Sequence, residues 1–172
     1  MDIPKPARGM IINYSYLWHS EAQQGREEGR KDRPSVVVLA DKKGMVIVAP
    51  ITHTRPQAGA TAIEIPAQLK KSAGLDHERS WIVTNDVNYF NWPGHDLRRI
   101  AGRKGQSVVH GQLPPDFTKQ VVQTVDAQMQ KRQVKAVNRD DPPPKKHWGK
   151  KAEKPSKPKP PPPPSKDRGR SR

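Results

Sequence analysis

The chain has 172 residues, 32 Lys plus Arg against 17 Asp plus Glu, a formal net charge of +15, 19 Pro, no Cys and 32% hydrophobic residues. Without Cys there is no disulfide framework and no thiolate metal or redox site, and no run of about 18 apolar residues is present to span a membrane. So large a positive excess points to a polyanion as partner, with RNA or DNA first.

Met1 to Gly9 holds no apolar leader, so secretion is not expected. From Met10 the chain alternates. Met10, Ile12, Tyr14, Tyr16 and Trp18 fall on one face of a predicted strand, with Ile11, Asn13, Ser15 and Leu17 on the other. His19 to Pro34 then lacks any apolar run and carries Glu21, Arg26, Glu27, Glu28, Arg30, Lys31, Asp32 and Arg33. A loop of that length between two strong strands suggests function. Ser35–Ala40 and Met45–Ala49 read as central strands joined by the Gly-containing turn Asp41–Gly44. Thr61–Ile65 alternates and stops at Pro66, and Ser80–Thr84 is a fifth strand. Between Pro66 and Gly74, AQLKKSA predicts a helix of about two turns. Phe117, Val121, Val125 and Met129 form one apolar stripe, so a longer helix is expected from Pro114 or Pro115 to near Ala136.

These elements predict an α+β chain, mainly β: a strongly bent antiparallel sheet or small barrel with helices outside, over residues 1–136. From Arg139 onward lie ten of the 19 Pro and twelve of the 32 basic residues, and Trp148 is the one large apolar side chain there. Such a segment cannot offset its ordering entropy by burial, so 137–172 is expected to be a disordered, basic, Pro-rich tail. It reads as a solvated tail, as an arm adding affinity for nucleic acid, or as a polyproline ligand for a partner domain.

No Walker loop, GxGxxG, HExxH, CxxC or GxSxG is present, and His19, His53, His77, His95, His110 and His147 lack metal-ligand spacing. No metal site and no cofactor are therefore expected. What remains is a set of polar residues at strand ends: Arg33-Pro34, Thr52-His53-Thr54-Arg55 and Asn85-Asp86. If these strands are neighbours, their ends converge on one site. Trp81 reads as core, His77 as exposed, His95 as a turn residue, and Tyr89, Phe90 and Trp92 as packing.

The order of these segments resembles a known family. Ala7-Arg8-Gly9 before a strand, Asp32-Arg33-Pro34 before Val36-Val37-Val38-Leu39, Val48-Ala49-Pro50-Ile51-Thr52, Gly74-Leu75 before Ser80-Trp81-Ile82-Val83, Asn85-Asp86, and His110-Gly111-Gln112-Leu113-Pro114 before the last helix are similar to MazF/PemK/Kid toxins. The resemblance covers roughly Pro6 to Val125. It implies an SH3-like barrel, usually a homodimer, acting in the bacterial cytoplasm as a metal-independent endoribonuclease. The ribose 2′-hydroxyl of single-stranded RNA attacks the adjacent phosphate, and a cognate antitoxin protein fills the RNA groove.

Carried onto this chain, the resemblance makes Arg33 the phosphate clamp and Thr52 a phosphate hydrogen-bond donor. Asp86 stands as a base or a partner of Arg33. Arg26, Arg30, Lys31, Arg55, His19 and Glu21 are the expected RNA-binding residues. Two positions depart from the pattern: Met10 stands where some members carry Glu, and Thr84 where some carry Arg. His53, beside Thr52, is a candidate to supply the missing proton transfer. Two alternatives stand beside the nuclease: a nucleic-acid-binding barrel without catalysis, and an interaction scaffold acting through the Pro-rich tail.

Overall fold

The computed structural model describes residues 3–59 and 61–140. Of the tail expected over 137–172, Val137 and Asn138 lie in a strand and Arg139 is buried, so these belong to the folded part, and 141 onward lies outside the described residues. In chain order the elements are β1 (Met10–Ser15), α1 (His19–Gln23), β2 (Asp32–Ala40), β3 (Met45–Thr52), β4 (Ala62–Glu64), α2 (Ala67–Ser72), β5 (Trp81–Val83), β6 (Asp86–Asn91), β7 (Val109–Gln112), α3 (Pro115–Gln130) and β8 (Lys135–Asn138).

The eight strands form one sheet in the order β4-β5-β3-β2-β1-β7, with β6 also on β3 and β8 on β6. Every pairing is antiparallel except β6 with β8. The sheet is mostly β with helices outside, as expected, but it does not close. It forks at β3, whose first half pairs with β6 and whose last two residues pair with β5.

The period-two reading of β1 is met by a core on each face of the sheet. Met10, Ile12, Tyr14 and Tyr16 share one cluster with Val37, Val46, Val48 and Phe90. Ile11 belongs to the other, with Val36, Val38, Ala49, Ile51 and Ile82, and there α3 lays down Val121 and Val125. Phe117 and Met129 flank that stripe, half-buried. The β2–β3 turn is closed by Asp41, whose Oδ1 accepts from the Lys43 and Met45 amides at 2.9 and 2.8 Å. Gly44 there takes φ +95°, a conformation that costs a residue with Cβ.

Three expectations are corrected. α3 ends at Gln130, and the chain then returns as β8. The stretch from His19 to Pro34 is not all loop: it opens with α1 and ends as the first residues of β2. β6 and β7 are strands where none was expected. His53, Thr54 and Arg55 follow β3 and Asp86 begins β6; Arg33, Thr52, Thr54, Arg55, Asn85 and Asp86 line one concavity where the sheet forks.

Candidate active site

The β2–β3 register sets the geometry. The ladder ends with Ser35 opposite Pro50, and Arg33 and Thr52 stand two residues beyond it, one on each strand. On its other side Arg33 pairs with Tyr14 of β1. Two concave volumes meet at this point. One, about 470 Å³, is lined by Ile51, Leu75, Asp76, Ile100 and His110 among others; the second, about 680 Å³, by Trp18, Arg55, Asn85, Asp86 and Lys135 among others. Lys31, Arg33, Thr52 and Thr54 line both. The two volumes are thus arms of one trough, with Arg33 and Thr52 at the junction.

Arg33 is half-buried, its guanidinium carbon 5.0 Å above the Trp18 ring. That contact fixes a long side chain before any ligand arrives. Its Nε is buried and has no hydrogen-bond partner among the described residues. Burial pushes the guanidinium down from its ordinary value, opposed by the charges of Glu21 and Tyr16. The Thr52 Oγ1 accepts the Thr54 amide at 3.1 Å, which leaves its own proton to donate.

Asp86 lines the larger arm from the start of β6. Its Oδ1 accepts from the Tyr16 hydroxyl at 2.5 Å and its Oδ2 from the His19 amide at 3.3 Å. Burial pushes this carboxyl above the usual carboxylate range, although both hydrogen bonds pull the other way.

His53 lines the smaller arm, but its ring is spoken for. Nε2 lies 2.8 Å from Asp76 Oδ2, and Nδ1 lies 2.9 Å from the Arg79 carbonyl and 3.2 Å from Ser80 Oγ. Asp76 in turn holds the buried Lys70 at 2.8 Å, and Lys70 also bonds the Glu78 carbonyl. A chain of polar contacts therefore anchors His53 to the wall.

The remaining expected residues separate. Lys31 faces both arms and Arg55 the larger one. Arg30 pairs with Glu21 at 3.2 Å, and Glu21 is buried, accepting the Trp18 amide at 3.3 Å. This contact secures the first turn of α1. Arg26 is exposed and lines neither arm, and the one hydrogen bond given between His19 and Asp86 comes from the His19 backbone amide. Met10 lies in the core. Thr84 is buried, donates to the Thr61 carbonyl at 3.2 Å and accepts from Gln128 at 3.2 Å. Among the described residues no group of three or more His, Cys, Asp or Glu side chains is arranged to hold a metal ion. No helix among them is long and apolar enough to cross a membrane.

Sequence reasoning missed Trp18, Lys135, Asp76 and His110. Trp18 had a signal, since it ends the alternating face of β1 where the polar stretch begins. Lys135 had none, because it enters the trough only through the pairing Asp86↔Lys135 of β6 with β8.

The chain matches the family model described as PemK-like, MazF-like toxin of type II toxin-antitoxin system over residues 15–129. No curated protein and no solved structure matches it. The matched span takes in β1's end, the whole trough except Lys135, and most of α3. On that match, extending over more than half its length, the chain belongs to the family of PemK-like, MazF-like toxins of type II toxin–antitoxin systems.

Proposed function

We propose that this protein is an endoribonuclease that cleaves single-stranded RNA without a metal, by attack of a ribose 2′-hydroxyl on the adjacent phosphate. The observation that carries this reading is the meeting of Arg33 and Thr52 at the junction of the two arms. A phosphate at that junction receives two hydrogen bonds from the guanidinium and one from the Thr52 hydroxyl. As the 2′-oxygen bonds to phosphorus, negative charge gathers on the equatorial oxygens, where Arg33 is already fixed by Trp18. Asp86 takes the 2′-hydroxyl proton. Its raised affinity for protons suits a base working nearer neutrality than an ordinary carboxylate. The P–O5′ bond then breaks, solvent protonates the departing 5′-oxygen, and Asp86 returns its proton to solvent. A cyclic phosphate and a 5′-hydroxyl result. His53 enters proton transfer only by giving up its contact to Asp76 or those to the Arg79 carbonyl and Ser80 hydroxyl, so Asp86 is the better base.

Lys31, Arg55 and Lys135 steer the RNA into the trough. A cognate antitoxin, homodimer assembly and action in the bacterial cytoplasm complete the proposal, supported by the family. A second reading, RNA binding without cleavage, is favoured by Met10 and Thr84, which stand in the interior without ionisable groups.

End-labelled RNA incubated with the protein in EDTA tests both. The nuclease reading expects 2′,3′-cyclic phosphate ends, reduced by about 10²–10³-fold in Arg33→Ala. Tight binding with intact RNA would establish the second reading instead.

A further inference from the structure

The two arms differ in chemistry: beyond Lys31 and Arg33, which both share, the smaller one has Arg103 as its one further Lys or Arg among the described residues. Its Arg103 gives three of its five N–H groups to the carbonyls of Val109, His110 and Gly74, at 2.8, 2.7 and 3.3 Å. A carboxylate, Asp76, stands in the same wall. Neither feature suits a second phosphate. Between its polar residues, Ile51, Leu75 and Ile100 add apolar surface for a flat ring. A volume of about 470 Å³ lies within the range of small-ligand pockets.

We propose that this arm holds the nucleobase next to the scissile phosphate, and that Asp76 selects a base with an exocyclic amino group over uracil. The inference rests on the trough being an RNA site, and deepens that reading. It follows from counting the hydrogen-bonding capacity of the wall. Asp76 Oδ1 accepts from Lys70 Nζ at 2.8 Å and from the Glu78 amide at 3.2 Å. Oδ2 accepts from His53 Nε2 alone, at 2.8 Å. A carboxylate oxygen has two acceptor sites, so one on Oδ2 is unspent, and the side chain is 55% exposed. His53 has no nitrogen left to offer.

Adenine, cytosine and guanine each carry an amino donor that satisfies Oδ2. Uracil has no amino group: its single N–H lies between two carbonyl oxygens, which oppose the carboxylate that accepts from it. The charge on Asp76 is secured from below. Partial burial alone would raise its carboxyl, but the Lys70 hydrogen bond and the charges of His53 and Lys70 outweigh that and hold it below the usual range. The selecting group therefore stays ionised across the pH range of the reaction.

The test titrates the full chain with AMP, CMP, GMP and UMP, reading the ring resonances of His53 and His110 by proton–carbon NMR. The expected result is saturable shifts of both rings, with UMP weaker by roughly tenfold. Asp76→Asn should remove that gap. If UMP binds wild type as well as the others, or if no nucleotide moves either ring, the inference is overturned whether or not the variant folds. Cleavage of an RNA with randomised positions separates this idea from the nuclease reading. Cuts with uracil admitted equally at every flanking position sink the base selection alone. No cuts, with the nucleotide preference intact, sink the nuclease and leave an RNA-binding subsite.

Discussion

Asp86 is held by two hydrogen bonds and pushed up by burial, and its proton has consequences in two measurements. As a base it works ionised, so cleavage should rise with pH, with a midpoint above the ordinary carboxylate value of about 3.9. Asp86→Asn should abolish that limb and lower the rate by about 10²–10⁴-fold. Tyr16→Phe removes a donor that favours the charged form, so it should move the limb to higher pH at a stability cost of about 2 kcal/mol. The pH–rate profile of each variant checks both outcomes. The stability effect has the opposite sense. A proton held more tightly in the folded chain stabilises it at low pH, and this contribution fades as pH rises from the unfolded value through the raised folded one. At this scale Arg33, Thr52 and Asp86 were legible because each stands at the end of an apolar run. Asp76 was not, because its partners His53 and Lys70 meet it only through the fold.

Among the elements, β8 is held by the least expected contact. Arg139, the residue just beyond it, sends Nε to Asp96 Oδ2 at 2.8 Å, with both side chains almost fully buried. Asp140 then accepts from Asn91's amide and side chain, each at 2.7 Å. Arg139→Ala strands the Asp96 carboxylate and should cost about 3–5 kcal/mol, read as a lower urea midpoint. The double variant Arg139→Met with Asp96→Leu should recover much of that loss, because it leaves no charge behind. Elements whose sequence carries its own period were legible: β1, β2, β3, β5, α2 and the start of α3. β6 reads DVNYFN, where buried Asp86 and Asn88 break the apolar pattern to serve Tyr16 and Leu17. β8 reads KAVN, with Val137 its one buried residue, so its strand character comes from pairing with β6. α1 is a single turn organised by Glu21 and has no apolar stripe to announce it.

For the whole molecule, the charge of +15 makes affinity for any polyanion, the proposed RNA included, a matter of salt. A chain ending at Asp140 loses the basic residues of the tail but none of the contacts described above. Its urea midpoint should match the full chain, while its plot of log affinity against log salt should be shallower. Equal slopes would mean that the tail takes no part in binding. The sheet also joins distant parts of the chain. β1 is flanked by β7, and β6 by β8, so pieces made first wait for pieces made last. On the ribosome that order matters. Arg33 and Thr52 are translated early, whereas His110 and Lys135 complete the trough's two arms much later. At about 5–20 residues per second, the interval between Thr52 and Lys135 is on the order of ten seconds. On the proposed nuclease reading, a nascent chain therefore carries Arg33 and Thr52 through that time without the surface that completes their site.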